Sequence, residues 1–281
     1  MSEKEVLYYR KLLESVLVTP GTFADCYAFS IHKAGSTLMH SMIAGVCKRA
    51  KIPGVSIPDA LFKLGIFEKD WAGDRALLEL FEPGRIYFGF RHLPEILLGD
   101  TVNLREKKSV LLVRDPRDAL VSQFFSYGGK YISHKLPEKG SEVFLQKVKA
   151  TEDLTIDEYV LRASQNYLGK LVAYRENLNF DNVLLCKYED IYFDKRTFLK
   201  EIFQHFGFEV DSRVVDDVAS KHDIRPEVED PTMHIRKGAP GDHVDKLQPR
   251  TIAKLNGLFA ATCNWFGYDL RLESQSPLAR Q

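Results

Sequence analysis

The sequence predicts an α/β fold in which a central, mainly parallel sheet is covered by helices on both faces. Two observations indicate this fold. Short, continuous apolar runs recur along the chain, each bounded by polar or turn residues, as in strands that are buried on both faces. Segments with helical periodicity lie between these runs, and strands that alternate with helices form parallel sheets. Ligands of such sheets lie beyond the carboxyl ends of the strands, so the residues after each run are the candidates for function.

The predicted elements follow one another along the chain. Residues 4–17 have the pattern of an amphipathic helix, which Pro20 and Gly21 end. A first strand at 26–31 runs into a glycine-containing turn, and a helix starts again at about Ser36. No internal repeat or Gly/Ser-rich linker interrupts the pattern, which favours a single domain across all 281 residues. The remaining predicted strands are 85–90, 109–113 and 183–186, and the remaining helices are 116–126, 156–174, 197–206 and 214–221.

The charge balance excludes some classes of function. The chain has 39 Lys and Arg residues against 39 Asp and Glu residues, so its formal net charge is zero. A protein that coats nucleic acid or binds a membrane through a polybasic surface needs a broad positive field, which this chain lacks. A focused anion site remains compatible with neutrality, because a few cations can converge locally.

Targeting and redox signals point to the cytoplasm. The N-terminus mixes charges among its apolar residues, unlike a signal peptide. The sequence has no run of about 18 apolar residues that would predict a transmembrane helix. The four cysteines are scattered without CxxC pairing, as expected of reduced, buried thiols.

The turn after the first predicted strand reads HKAGST, residues 32–37. Gly35 lets the backbone approach a ligand closely, and the amides at the start of the next helix attract an anion. Lys33, Ser36 and Thr37 add further hydrogen-bond donors. These features predict a phosphate-binding loop, although the lysine precedes the glycine, unlike GxxxxGK[ST]. The same residues are equally compatible with an ordinary helix capped by Ser36.

The run RDPRDALVS, residues 114–122, directly follows the predicted strand 109–113. Arg114 and Ser122 are about two helical turns apart, so they can share one side of the helix. The planar fork of arginine suits phosphate. Taken alone, however, such a charged run is more typical of a solvated cluster of ion pairs.

The stretch RKGAPGD, residues 236–242, lies in a long segment without clear secondary structure. Its cations, Arg236 and Lys237, stand in a Gly/Pro-rich loop, which is typical of a lid that closes over an anion. An ordinary surface loop is the simpler interpretation of this stretch on its own.

A single histidine closes another predicted strand, in RHLP at residues 91–94. At such a strand end His92 is a candidate general base near neutral pH. A lone histidine is more often a hydrogen-bonded structural residue, so this stretch decides nothing alone.

Taken together, in order and spacing, these stretches resemble the PAPS-dependent sulfotransferase family, whose members take a sulfuryl group from 3′-phosphoadenosine 5′-phosphosulfate (PAPS). The resemblance runs from about Ala28 to Gly241. HKAGST is similar to the family's 5′-phosphosulfate loop, RDPRDALVS to its 3′-phosphate motif, RKGAPGD to its lid, and RHLP to the segment with the catalytic histidine. KYED at 187–190 resembles its tyrosine-containing segment. The fold implied is the family's three-layer, P-loop-like α/β core.

The resemblance implies a role for each matching residue. His92 would be the general base, and Lys33 would be catalytic as well, by stabilising the leaving oxygen. Arg114 and Ser122 would grip the 3′-phosphate, and Tyr188 would lie near the adenine. PAPS would be the co-substrate, 3′-phosphoadenosine 5′-phosphate (PAP) the product, and no metal would be needed. The donor-binding residues implied in this way are Lys33, Ala34, Gly35, Ser36, Thr37, Arg114, Ser122, Tyr188, Arg236, Lys237 and Gly238.

Several positions depart from the family's pattern. Leu38 stands where the family often has an adenine-stacking Trp, and His243 stands at the usual Trp of the lid. Phe90 replaces the lysine that commonly lies two residues before the histidine, with Arg91 adjacent to His92. Asn256 stands where the C-terminal dimer motif has an acid, so that dimer is not predicted.

Two other functions stay open at this point. A P-loop kinase or other NTPase would place the lysine after the second glycine and supply a carboxylate for magnesium. A non-catalytic adenine-nucleotide-binding protein would bind the nucleotide without forming a sulfated product. If the chain is a sulfotransferase, segments 51–83 and 127–155 are partly apolar and aromatic, which suits a small alcohol, phenol, amine or natural product as acceptor. Neither nucleic acid nor a membrane is expected as a partner.

Overall fold

The sheet of this protein consists entirely of parallel pairings. A computed structural model describes residues 3–99, 101–127, 141–226, 228–230, 236 and 238–270. Within these residues the strands are β1 (Cys26–Ser30), β2 (Gly54–Val55), β3 (Ile86–Phe90), β4 (Ser109–Val113) and β5 (Val183–Lys187). Their order is β2-β3-β1-β4-β5, and each neighbouring pair is parallel. The predicted parallel sheet is therefore confirmed, and all its carboxyl ends lie at one edge.

Helices connect the strands and cover the sheet. None of the helices in the described part of the chain combines the length and the apolar character that a membrane crossing requires. Short 3₁₀ turns stand at Glu95–Leu97 and Leu104–Glu106. The helices are α1 (Glu3–Leu13), α2 (Ser36–Ala50), α3 (Ile57–Lys63), α4 (Glu68–Trp71), α5 (Arg75–Leu78), α6 (Pro116–Tyr127), α7 (Ser141–Lys149), α8 (Ile156–Asn177), α9 (Tyr188–Phe193), α10 (Lys195–Phe206), α11 (Ser212–His222), α12 (Asp242–Lys246) and α13 (Pro249–Trp265).

Alternate side chains of the central strands enter two separate hydrophobic cores. In β1, Tyr27 and Phe29 belong to the core that is closed by α6, α8 and α13. Cys26 and Ala28 belong to the other core, which is closed by α2, α10 and α11. The period-2 alternation of a strand produces this division, because successive side chains point to opposite faces. The two cores make the protein a three-layer α/β structure.

A glycine interrupts this alternation in β3, immediately before the predicted catalytic segment. Phe88 lies in one core and Phe90 in the other, although two residues of a regular strand that are two apart share a face. The pairing of β3 with β1 slips at this point, and Gly89 has φ +98°. A Cβ atom on Gly89 would lie 2.0 Å from Ser56 Oγ, so only glycine fits here. The bulge turns the residues after β3 relative to the strand.

Candidate active site

The loops that leave β1, β4 and β5 and the residue after β3 meet at the carboxyl edge of the sheet. They surround a cavity of about 240 Å³. Because ligands of parallel sheets lie at this edge, the cavity is the candidate active site. Its wall includes nine of the residues predicted from the sequence: Lys33, Gly35, Ser36, Thr37, Arg114, Ser122, Tyr188, Arg236 and Gly238.

Three predicted residues stand elsewhere. Ala34 is fully buried below the cavity, and its N–H donates to the Ile31 carbonyl at 3.1 Å. Lys237 lies outside the residues that the structure describes. His92 follows β3 but is not part of the cavity wall. The assignment of all these residues to a bound donor stays a prediction.

The loop after β1 brings the first turn of α2 to the cavity. Lys33 (φ 66°) and Gly35 (φ 88°) both adopt the left-handed conformation, which folds the chain back before the helix. Gly35 is the N-cap, and no side chain accepts a hydrogen bond at this end of α2. The sequence-based alternative, an ordinary helix capped by Ser36, is therefore wrong, since Ser36 is already inside the helix. Uncapped amides at a helix start form a site for an anion.

The β1 loop and α9 touch directly through Gly35. A Cβ atom on this residue would lie 2.5 Å from the ring of Tyr188, so any larger side chain would displace the tyrosine. The Tyr188 hydroxyl donates to the carbonyl of Gly238 at 2.6 Å. Tyr188 thus contacts both the loop after β1 and the segment that contains Gly238.

Lys33 reaches across the cavity to α6. Its ammonium donates to the Ser126 hydroxyl at 2.5 Å, and its backbone carbonyl accepts a bond from Arg114 at 3.3 Å. Burial, together with the positive charges of Arg114 and Arg91, lowers the pKa of Lys33 to about 8. An anion in the cavity would oppose this shift, because it favours the charged ammonium.

Arg114 lies on the cavity wall and has one buried hydrogen-bond donor that no described residue satisfies. Its guanidinium carbon lies 4.3 Å from the centre of the Tyr188 ring, and a terminal nitrogen lies 3.8 Å from the Asp118 carboxylate. Its Nε is shielded from solvent and has no hydrogen-bond partner among the described residues. A buried donor without a partner costs stability unless a ligand satisfies it. Ser122 lies on the same cavity wall, as the two-turn spacing predicts.

The other charges of the RDPRD run are buried, not solvated. Arg117 is fully buried, and its guanidinium binds Asp115 at 2.5 Å and Asn256 at 2.9 Å. Asp115 is 3% exposed and Asp118 is 1% exposed. The alternative interpretation of this run as a solvated ion-pair cluster is therefore wrong, because these partners stabilise charges inside the protein.

Asp118 fastens the segment 238–243 to α6. It accepts backbone N–H bonds from Gly241 at 2.5 Å and from His243 at 2.9 Å, and His243 Nδ1 lies 2.7 Å from the same carboxylate. Burial alone would raise the pKa of Asp118. The pKa is lowered instead, because the hydrogen bonds from His243 and the charge of Arg114 stabilise the carboxylate. His243, which replaces a tryptophan of the family's pattern, thus acts here as a buried hydrogen-bonding residue.

Arg236 is held by two acids and an aromatic ring. Its guanidinium contacts the carboxylates of Glu229 and Asp242, and it lies 4.2 Å from the centre of the Phe125 ring. These partners fix the arginine at the wall of the cavity that Lys33 and Arg114 also line.

The segment after β3 places an arginine on the cavity wall and a histidine beside it. Arg91 donates to Asp59 at 2.7 Å and to the Gly89 carbonyl at 3.0 Å. His92 Nε2 contacts the carboxylate of Glu68, at the start of α4. Burial and the charge of Lys170 lower the pKa of His92 to about 3. His92 is therefore a neutral imidazole near pH 7.

One comparison with known proteins decides the family. The family described as "Sulfotransferase domain" matches residues 28–266. This chain belongs to the sulfotransferase family. The sulfotransferase is 25% identical to Cytosolic sulfotransferase 17 of Arabidopsis thaliana over 287 aligned positions, which cover 89% of this chain and 79% of the relative. It is 28% identical to Cytosolic sulfotransferase 16 of the same plant over 191 positions, which cover 59% and 54% of the two chains.

The sulfotransferase also shares its fold with a solved structure. The crystal structure of mouse sulfotransferase SULT7A1 complexed with PAP matches with a TM-score of 0.56, 19% identity and 94% coverage of each chain. This likeness confirms the expected P-loop-like α/β fold.

The cavity of the sulfotransferase also contains residues that the sequence did not single out. Ser126 follows Ser122 by one helical turn, so the same periodicity could have found it. Arg91 and His32 stood inside the quoted motifs but had no assigned donor role there. Lys195 is 5% exposed, and its ammonium binds Asp223 at 2.7 Å. The other additional wall residues include Leu38, Ser41, Phe125, Tyr192, His222, Ile224 and Ala239.

Proposed function

We propose that this sulfotransferase transfers the sulfuryl group of PAPS to the hydroxyl or amine of a small molecule and releases PAP. The observation that carries this proposal is the convergence of Lys33, Arg114 and Arg236, from three distant segments, on one cavity at the start of α2. A neutral chain binds a multiply charged donor by such local convergence. The relatives named cytosolic and the mouse enzyme complexed with PAP agree with this assignment and with a cytoplasmic location. We also assign donor binding and catalysis to a single domain.

We expect the cavity to hold a nucleotide with two phosphate groups, and its lining supports this expectation. One end offers the uncapped amides of α2 and the Lys33 ammonium, as a 5′-phosphosulfate requires. The other offers the buried, unpartnered Nε of Arg114 together with Ser122. Arg236 adds a third cation, held in place by its own acidic partners.

Aromatic and apolar residues close the remaining end of the cavity, where we place the adenine. Tyr188 and Tyr192, both on α9, lie with Ile224 and Leu38 on this wall. We infer that these side chains supply the contact that a tryptophan at position 38 makes in many family members. His222 lies near them, with Nδ1 2.8 Å from its own Val218 carbonyl.

The chain's own residues supply alignment, charge stabilisation and proton removal. When bound, PAPS supplies the sulfuryl group and a phosphate leaving group. Lys33 stabilises the negative charge that the bridging oxygen gains as its bond to sulfur breaks. His92, a neutral imidazole, removes the proton that the acceptor loses as it forms its bond to sulfur. The fixed side chains of the cavity wall hold the donor in line for this transfer.

The base assignment is tested by His92→Ala. We expect kcat to fall by about 10²–10⁴-fold, while calorimetry finds the affinity for PAP unchanged. His205→Ala is the matched control, because His205 binds the Asn182 carbonyl before β5 and lies far from the carboxyl edge. Near-wild-type turnover in His92→Ala would remove His92 from this role.

The reaction itself is tested with sulfur-labelled PAPS and a panel of phenols, alcohols and amines, in the presence of a metal chelator. Labelled, sulfated product is expected from at least one acceptor, and no phosphate transfer from ATP. Phosphate transfer from ATP that depends on magnesium would favour a kinase. Tight PAP binding without product from any acceptor would favour a non-catalytic nucleotide-binding protein.

A further inference from the structure

Arg91 is a cation on the cavity wall to which the proposed function assigns no contact. Its Nη1 donates to the Asp59 carboxylate at 2.7 Å and to the Gly89 carbonyl at 3.0 Å. Its Nη2 and Nε form no hydrogen bond with any of the described residues, and neither nitrogen is closed off from solvent. The protein therefore holds one nitrogen of the guanidinium and leaves the other donors open to a ligand.

Contacts from α3 fix the position of this guanidinium. Asp59 accepts from Arg91 through Oδ1 and from the Ser56 hydroxyl through Oδ2, the latter at 2.8 Å. Ser56 is the N-cap of α3, so the carboxylate is itself tied to the start of the helix. Burial alone would raise the pKa of Asp59. The pKa is lowered instead, because the charges of Arg91 and His40 and the hydrogen bonds from Arg91 and Ser56 stabilise the carboxylate.

The order of the strands places Arg91 on one side of Lys33 and Arg114 on the other. Arg91 directly follows β3, Lys33 lies in the loop after β1, and Arg114 directly follows β4. In the sheet β1 lies between β3 and β4, and neighbouring strands are about 4.8 Å apart. Burial and the charges of Arg114 and Arg91 lower the pKa of Lys33, so the charge of Arg91 acts on that ammonium. Arg91 is thus the cation on the side of Lys33 that is away from the proposed 3′-phosphate contact and next to the proposed base, His92.

We propose that Arg91, positioned by Asp59, is a further catalytic residue, which binds the non-bridging oxygens of the sulfuryl group in bound PAPS and during transfer. This inference rests on the proposed sulfuryl transfer and adds one residue to it. The bond from sulfur to the bridging oxygen breaks, and its electron pair stays on that oxygen beside Lys33. The acceptor oxygen or nitrogen forms the new bond to sulfur and loses its proton to His92. Arg91 exchanges no atom, and its planar fork donates to sulfuryl oxygens whose charge it stabilises.

The test uses the difference between PAPS and PAP, because PAP lacks the sulfuryl group. Calorimetry without an acceptor would measure the Kd of both nucleotides on wild type and on Arg91→Gln. We expect the Kd of PAP to stay within about threefold of wild type and that of PAPS to rise at least about tenfold. With an acceptor, kcat should fall at least about 100-fold. Arg213→Gln is the matched control and should behave as wild type, since Arg213 pairs with Asp211 in contact with solvent.

Two further variants separate the position of the guanidinium from its charge, and they decide the question if Arg91→Gln does not fold. Asp59→Asn keeps the shape of the side chain but removes the charge that holds Nη1. It should raise the Kd of PAPS about threefold and lower kcat about tenfold, with the Kd of PAP unchanged. Arg91→Lys keeps the positive charge and should have at least about ten times the kcat of Arg91→Gln. The exposed Asp153→Asn is the control for Asp59→Asn.

Failure of the proposed function would appear first, as wild-type enzyme that forms no sulfated product from any acceptor. With product established, equal losses of affinity for PAP and PAPS in Arg91→Gln would assign the arginine to a phosphate or to the fold, and would overturn the proposal. A change confined to the KM of the acceptor would assign Arg91 to an acceptor group and would overturn it as well. An unchanged Kd of PAPS in both Arg91→Gln and Asp59→Asn would have the same meaning.

Discussion

Two arginines of one sequence motif have different surroundings in this structure. Arg117 is fully buried, and Asp115 and Asn256 satisfy its guanidinium. Arg114, directly after β4, lies on the cavity wall and donates to the Lys33 carbonyl at 3.3 Å, while its buried Nε has no hydrogen-bond partner among the described residues. The first arginine is satisfied inside the protein, and the second lies on the wall of the candidate site. Residue type therefore does not distinguish the two, but position relative to the strand end and the helix does.

The contrast between buried, paired side chains and side chains on the cavity wall also holds for other residues of the candidate site. Asp118 and His243 are buried and paired, and they hold the segment 238–243 against α6. Lys33 and His32 are on the cavity wall, where burial and neighbouring cations lower their pKa values. Asp118 and His243 therefore support the wall of the candidate site, whereas Lys33 and His32 are side chains that we expect to contact a ligand.

Removal of the buried arginine should have the largest effect on stability. Arg117→Ala leaves the Asp115 carboxylate buried without its partner, which costs about 3–5 kcal/mol of unfolding free energy. The measurement is chemical denaturation followed by circular dichroism. Arg213→Ala is the matched control, since Arg213 pairs with Asp211 in full contact with solvent and should leave the midpoint unchanged. Arg114→Ala should retain more stability than Arg117→Ala, and the reverse order would contradict the comparison.

Replacement of Asp118, which holds the segment 238–243 against α6, should affect donor binding more than turnover. Asp118→Asn keeps the shape of the side chain but removes the charge that accepts the bonds from Gly241 and His243. We expect KM for PAPS and Kd for PAP to rise roughly 10–50-fold, because charge-assisted hydrogen bonds are replaced by weaker ones. The exposed Asp153→Asn serves as the control. A loss confined to kcat would show that the segment 238–243 is not held for donor binding.

A smaller effect should appear as pH dependence at Lys33. Its pKa of about 8 in the free enzyme means that the ammonium loses its proton as pH rises through 8. If PAP binding depends on the charged Lys33 ammonium, the affinity for PAP should be constant below pH 7 and should fall by up to about tenfold by pH 9. Calorimetry at pH 8.5 in buffers of different ionisation enthalpy should find proton uptake on binding. Lys33→Arg, which stays charged, should abolish that uptake, and uptake that persists in it would assign the proton to another group.

Much of this fold could be predicted from the sequence because the central strands are continuous apolar runs. The predicted strand 109–113 coincides with β4, and the bounds of β1, β3 and β5 differ by a residue at one end. The two-residue strand β2 is too short to give a pattern. The sequence pattern does not predict helix α13, although its buried residues recur at helical spacing, because Thr251 and Thr262 occupy part of the buried face.

The sequence predicts those parts of the site that are formed by local motifs. It does not predict contacts between residues that are far apart in the chain. HKAGST and RDPRDALVS stand at strand ends, so chain order alone places them together. The contact of Asp118 with His243 joins residues 125 positions apart, and one sequence contains no signal for such a pair. Gly89 did carry a signal, since an isolated glycine in a strand often marks a bulge. That bulge turns Arg91 to the cavity.

The most direct test is a thermodynamic cycle that removes the Arg114 side chain from the protein and the 3′-phosphate from the ligand. Calorimetry would compare PAP with adenosine 5′-phosphate, which lacks that phosphate, on wild type and on Arg114→Ala. The wild type should bind PAP more tightly than adenosine 5′-phosphate. In Arg114→Ala this difference in binding free energy should be smaller by about 1.5–3 kcal/mol. Both proteins should bind adenosine 5′-phosphate almost equally. An equal loss of affinity for both nucleotides would contradict the assignment of Arg114 to the 3′-phosphate, and with it the donor site described above.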